Sequence, residues 1–260
     1  SAEQVAAALA AVRQLEGLVY DTPSAMDGRP SHTMKVVTAG SWRPEVGPLQ
    51  AVLEGPLRDL ERRVRLLRGP RAEELFPSQV FVRRYAVGQR RWVAPHYDVS
   101  VAMTAVCSLT PPRPDSGLFV QHTACPSSRE FVDLRAAGSF AVHGWDLLHG
   151  VDVTGDEERV SLIVWFRTAV RPWAAVQIER LGLEVLARAG DANAAARLGD
   201  ALCREEGRVA LPGSDAAVWY AASAAEGSAL GQHRAALVHL RAGEERRAVG
   251  LLRLAAAQEG

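Results

Sequence analysis

The sequence predicts an α+β protein in three stretches: helices, then a β-rich centre of the sandwich or jelly-roll kind, then an all-α helical-repeat segment. Three observations carry this. Apolar residues recur at helical spacing between Val46 and Leu67. Short β-branched runs alternate with Pro-, Gly- and Ser-rich loops from Gln79 to about residue 168. After Trp173 the composition turns to Ala, Leu, Arg, Glu and Gly, with Pro212 the only proline. These shifts divide the chain into residues 1–173, with a β core about 80–168, and residues 174–260.

The elements follow in order. Ala2 to Leu18 reads as a helix, and Asp21 to Pro30 carries turn chemistry. Leu49, Val52, Leu53, Leu57, Leu60, Val64 and Leu67 form one apolar stripe, which Pro56 is expected to kink or split. Val80-Phe81-Val82, Val101–Leu109, Phe140–Val142 and Val160–Phe166 read as strands. Pro111–Gly117 and Cys125–Ser128 are loops between them. In the last stretch Ala216–Gly227 matches Arg247–Gly260, and Gly190, Gly227 and Gly260 recur at intervals of 37 and 33. That period suits stacked helix pairs, each closed by a glycine in the left-handed conformation.

Bulk properties narrow the function. Lys plus Arg and Asp plus Glu both number 30, so nothing speaks for nucleic acid or an anionic membrane as partner. No apolar run reaches transmembrane length and no signal peptide is visible, so the cytoplasm is the expected compartment. Cys107, Cys125 and Cys203 lie far apart without CxxC spacing, which fits neither a zinc site nor a disulfide framework. Cys107 reads as a small core residue, His122 and Cys125 as loop residues.

The chemistry-bearing residues are His96, Asp98 and His149, with Arg159 and Ser161 beyond. In an extended strand His96 and Asp98 point the same way, so both reach one ion. His149 completes two imidazoles and one carboxylate, the facial set of non-haem Fe(II) with open positions. Arg159 offers a forked counter-charge to a dicarboxylate co-substrate, and Ser161 shares its face. Thr104 has the parity of His96 and Asp98 and points inward if the strand continues. Tyr85 offers a phenol, and Trp165 a pocket wall. His143, Asp146 and His149 form a rival set spaced by threes, but Gly144 and the preceding β run weigh against the helix it needs; His143 then lines the pocket instead. Arg159 as a surface partner of Asp156 or Glu157 is the plainer alternative. Arg83, Arg84, Arg90 and Arg91 read as a solvated face, or as a patch for an acidic peptide.

The run Tyr85-Ala86-Val87-Gly88-Gln89, His96-Tyr97-Asp98, Thr104, Ser116-Gly117-Leu118-Phe119, Gly138, His149-Gly150 and Arg159-Val160-Ser161 resembles the prolyl-4-hydroxylase-type 2-oxoglutarate/Fe(II) dioxygenases. The resemblance implies a double-stranded β-helix (jelly-roll) core with N-terminal support helices. It implies iron on His96, Asp98 and His149, and the C5 carboxylate of 2-oxoglutarate on Arg159. Thr104, Ser161 and Tyr85 are further candidates for the co-substrate pocket. Fe(II), 2-oxoglutarate and O₂ are the implied cofactor and co-substrates, with ascorbate as an accessory. Ser116-Gly117-Leu118-Phe119 departs from the family's GG-x-T-x-F, and Ala105, Cys107 and Ser108 replace its middle-strand tyrosines and asparagines. These departures count against peptidyl proline. The expected function is hydroxylation of a protein or peptide side chain. The alternatives are a free amino acid or other small molecule, or chiefly a protein-interaction module working through the repeats.

The C-terminal stretch resembles Sel-like relatives of the tetratricopeptide repeats. Ala195, Leu198, Gly199, Gly207, Ala217, Trp219, Tyr220, Ala224, Ala225 and Gly227 carry the likeness in one unit, and the next unit lacks the Trp-Tyr pair. A generic Ala-rich bundle is the alternative. The resemblance implies a surface for a protein partner.

Overall fold

The computed structural model describes residues 1–18, 20–23, 30–68, 75–98, 101–122, 126–168, 174–206 and 209–258. The chain separates into two compact units, Ser1–Val120 with Phe131–Val170, and Gln121–Glu130 with Arg171–Gly260.

The first unit opens with helix α1 (Ala2–Gln14), started by a capping box between Ser1 and Gln4. Strand β1 (Tyr20–Pro23) pairs with β2 (Pro30–Thr38). The expected turn at 21–30 is therefore strand at both ends; residues 24–29 lie outside the described residues. After β3 (Ser41–Trp42) comes α2 (Gly47–Arg68), one helix through Pro56. The expected split does not occur. A proline costs the helix one hydrogen bond, but Leu49, Leu53, Leu57, Leu60 and Val64, on both sides of it, are all buried in the core. The core stripe ends at Val64, so Leu67, assigned to it by spacing, is 70% exposed.

The remaining strands are β4 (Phe76–Tyr85), β5 (Trp92–His96), β6 (Met103–Ser108), β7 (Gly117–Gln121), β8 (Arg129–Phe131), β9 (Phe140–Gly144), β10 (His149–Asp152) and β11 (Arg159–Arg167). They build a seven-stranded sheet in the order β1-β2-β4-β11-β6-β9, with β3 on β2, and a four-stranded sheet in the order β5-β10-β7-β8. The two-residue period of a strand sorts the side chains. Val80, Val82, Ala105, Cys107, Val160, Leu162, Val164 and Phe166 pack with α1 and α2. The opposite parity, Phe81, Val106, Ile163 and Trp165, packs with Leu118 and Val151 of the smaller sheet. Arg159 and Ser161 share the parity of Ile163, which points them at the smaller sheet.

The β-rich region starts well before Gln79, because β2 escaped sequence reading. Its ladder to β4 slips between Lys35 and Val37, and both Val36 and Val37 are buried in one core. A bulge of this kind removes the clean alternation that marks a strand.

The second unit holds helices α3 (Ala174–Arg188), α4 (Ala192–Glu206), α5 (Asp215–Ala225), α6 (Ala229–Arg241) and α7 (Glu245–Ala256), each packed on the next. Gly190 and Gly227 take φ +95° and +84°. Past them Asp191 N–H bonds Leu186 O, and Ser228 N–H bonds Ser223 O, closing α3 and α5. A Cβ on Gly199 would lie 2.7 Å from Tyr220 Cδ1, so that glycine lets α4 and α5 meet. The matching segments Ala216–Gly227 and Arg247–Gly260 fall on α5 and α7; Gly207 and Gly260 lie outside the described residues, as does Cys125. Among the described residues no helix is long and apolar enough to cross a membrane.

Candidate metal centre

His96 closes β5, His149 opens β10, and the two are register partners. Facing residues of an antiparallel pair share a face, so the two rings meet with centroids 4.4 Å apart. Asp98 lies beyond the end of β5, and strand parity does not aim it. Its orientation comes from Thr104, whose hydroxyl donates to Asp98 Oδ2 at 2.5 Å. Thr104 does not continue the His96 strand, as parity expected. It lies on β6 in the other sheet and reaches the carboxylate because the chain folds back.

The donor atoms of His96, Asp98 and His149 all lie within 4.8 Å of one another, and this is the only such trio among the described residues. Asp98 Oδ1 is 3.6 Å from His96 Nε2, and Oδ2 is 3.6 Å from His149 Nε2. His96 Nδ1 pairs with Ala94 O at 2.9 Å and His149 Nδ1 with Leu147 O at 3.0 Å. A carbonyl only accepts, so each Nδ1 carries a proton and each ring turns its Nε2 towards the carboxylate. Imidazoles oriented through Nδ1–H and grouped with one carboxylate fit a divalent transition ion.

Arg159, 6% exposed, faces Tyr85 across β11 and β4. Its Nε donates to Ser161 Oγ at 3.1 Å, while Nη2 is buried without a hydrogen-bond partner. Burial lowers the pKa of Arg159 from its usual value, with Tyr85 and Cys107 acting against the shift. Burial raises that of Tyr85, opposed by Arg83 and Arg159. Arg159 is thus no surface partner of Asp156 or Glu157. Its guanidinium lies against Gly117 of β7, where a Cβ would overlap Nη1 and sit 2.6 Å from Cζ. The glycine after His149 has a similar cause: a Cβ on Gly150 would lie 2.6 Å from Val93 O. Trp165 stacks edge-on with Phe81 at 5.0 Å.

The rival set His143, Asp146 and His149 does not assemble. His143 is buried, its ring 4.2 Å from that of His149. Burial, and then the neighbouring His149, lower its pKa to about 4. Nothing in the sequence signals that its Nε2 is buried without a hydrogen-bond partner. The arginine cluster is engaged rather than open. Arg84 bonds Glu16 and Glu158, Arg91 bonds the carbonyls of Thr154 and Glu157, and Arg90 lies over Trp92.

No protein-family model matches this chain, and no curated protein does. Solved structures resemble it at low identity. A 2OG-Fe(II) oxygenase family oxidoreductase from Burkholderia pseudomallei is 21% identical with TM-score 0.45, over 61% of this chain and 78% of that one. A Pseudomonas putida prolyl-4-hydroxylase is 19% identical with TM-score 0.47, over 64% and 88%. The non-heme α-ketoglutarate-dependent epimerase SnoN of nogalamycin biosynthesis is 20% identical with TM-score 0.45, over 64% and 73%. Likeness at this level assigns no residue a role.

Proposed function

We propose that the chain is an Fe(II)- and 2-oxoglutarate-dependent oxygenase, with the seven-stranded and four-stranded sheets forming a double-stranded β-helix. One observation carries the reading: two imidazole nitrogens and a carboxylate oxygen converge within 4.8 Å, in a unit that also buries a guanidinium nitrogen without a partner. His96, Asp98 and His149 would hold the iron, and Arg159 the far carboxylate of 2-oxoglutarate. Bound iron supplies the oxidising chemistry: 2-oxoglutarate, O₂ and a substrate C–H become succinate, CO₂ and a C–OH group.

The chain's own residues do the rest. Ala94 and Leu147 carbonyls fix the imidazoles, and Thr104 fixes Asp98. Ser161 holds the guanidinium at Nε and leaves its outer nitrogens for a forked carboxylate pair. Tyr85 faces Arg159 across the strand pair, and Gly117 leaves room for the guanidinium. The apolar cluster of Phe81, Val106, Leu118, Ile163 and Trp165 excludes water between the sheets.

The substrate class is a protein or peptide side chain, with free amino acids and other small molecules as the alternative. The helices α3–α7 read as Sel-like repeats, and their recurring segments on α5 and α7 support a protein partner. The test is anaerobic addition of Fe(II) and 2-oxoglutarate. A weak visible charge-transfer band is expected, lost in His96→Ala and Asp98→Ala. In Arg159→Gln the metal should bind while 2-oxoglutarate does not. A wild-type protein that binds no divalent metal, or never yields succinate from 2-oxoglutarate, ends this reading.

A further inference from the structure

We infer that His143 is a hydrogen-bond acceptor built into the metal centre, taking an O–H or N–H donor on the side of the metal away from Arg159. This rests on the oxygenase reading and adds a residue to it.

The Nδ1 contact of His143 is of the same kind as those of the two ligands. Its Nδ1 pairs with Gly144 O at 2.9 Å, and a carbonyl only accepts, so a proton sits on Nδ1; a second proton would bury a charge that no hydrogen bond meets, so Nε2 keeps a lone pair. The residue is 8% exposed, and Nε2 is buried with no hydrogen-bond partner. Buried side-chain polar atoms are paired in the large majority of cases, so an orphan beside a metal site points to a missing donor.

Position decides what the donor is. His143 faces Thr104 across β9 and β6, and Thr104 holds Asp98. The His143 ring lies on that of His149 at 4.2 Å. The His143 ring is therefore next to the metal set, although it does not join the trio whose donors lie within 4.8 Å. It is not placed for the co-substrate's far carboxylate. Trp165, the β11 residue across from Thr104, is six residues from Arg159, about 20 Å of strand. A lone pair would also repel a carboxylate. What remains is a small donor on the metal's other side: water in the resting site, and a substrate O–H or N–H in its place during turnover. A side chain without a donor, such as the ring of peptidyl proline, would leave Nε2 bare. The inference thus favours substrates with a hydroxyl, amine or amide N–H beside the oxidised carbon.

The test uses Mn(II) alone with the full chain and reads water-proton relaxation dispersion. In His143→Phe the residence time of water on the ion should shorten roughly three- to tenfold, the effect of losing one hydrogen bond of ordinary net strength. Mn(II) affinity should change little, because the His143 ring makes no hydrogen bond to His96, Asp98 or His149, unlike Thr104, which holds a ligand. His143→Gln, whose amide oxygen accepts, should keep the wild-type residence time. His143→Leu carries the same expectation as Phe should the larger side chain prevent folding. An unchanged residence time in a Phe or Leu variant that binds Mn(II) overturns the inference. So does loss of Mn(II) binding in a folded variant, which would make His143 a ligand. A wild-type chain that binds no Mn(II) fails differently: it removes the metal centre itself.

Discussion

Gly117→Ala puts the proposed co-substrate half of the site under direct test. The glycine has φ +110°, and a Cβ there would sit 2.6 Å from Arg159 Cζ. Arg159 is 6% exposed and tied to Ser161, so the guanidinium cannot retreat into solvent. The backbone conformation alone costs an L-residue about 1–3 kcal/mol. At about 2–4 °C per kcal/mol for a domain of this size, that lowers Tm by about 2–12 °C. The displaced guanidinium loses at least one hydrogen bond to the bound carboxylate, about 1.5–3 kcal/mol for a charged pair. The dissociation constant of 2-oxoglutarate should rise about 10- to 150-fold. Gly88→Ala separates the two effects. Gly88 has φ +81° and nothing within 4 Å of its Cβ position, so the strain is present without the collision. The assay is anaerobic titration of Fe(II)-loaded protein with 2-oxoglutarate, followed through the charge-transfer band, beside a thermal melt. Gly117→Ala should lose both stability and affinity, Gly88→Ala stability alone. A Gly117→Ala protein that binds 2-oxoglutarate as tightly as wild type would falsify the placement of the carboxylate on Arg159.

Three further outcomes are expected. Thr104→Val leaves Asp98 Oδ2 without its donor and should weaken metal binding about 10- to 100-fold in competition with a chromogenic chelator, with Thr104→Ser near wild type; equal affinities would remove Thr104 from the site. Burial pushes the Cys107 thiol up to about 12 from an ordinary 9.0. Above pH 9 the unfolded chain therefore loses that proton first, and stability should fall by up to about 1.4 kcal/mol per pH unit until pH 12; Cys107→Ala should flatten this slope in urea unfolding, and identical slopes would contradict the shift. Gly199→Ala places a Cβ 2.7 Å from Tyr220 Cδ1 and should cost about 1–3 kcal/mol by overpacking. In a Tyr220→Leu background that penalty should shrink; if it stays the same, α4 and α5 do not meet through this pair.

The candidate site residues were legible because their types and order are local facts. An HxD triplet, a later histidine and an R-x-S all stand in the one-dimensional string. The strands that carry Phe140–Val142 and Val160–Phe166 were legible for a similar reason: β-branched runs bounded by turns. Short strands were harder. β5, β7, β8 and β10 span three to five residues each, too few for a period to show. β2 was hidden by its bulge, and Pro56 suggested a break that the packing of α2 overrode.

The amino-acid string by itself settled which atoms were on offer: two imidazoles, one carboxylate, one guanidinium, and small residues where backbones or side chains come close. It could not settle which way they face. Parity aimed Asp98 and Thr104 along one strand, whereas folding set Thr104 in the opposite sheet and joined the two by a hydrogen bond. The orphan nitrogens of His143 and Arg159 and the gap that Gly117 leaves for the guanidinium belong to the same class. Each depends on the register of strands distant in the chain, and register is fixed only when the sheets form and their buried faces must match.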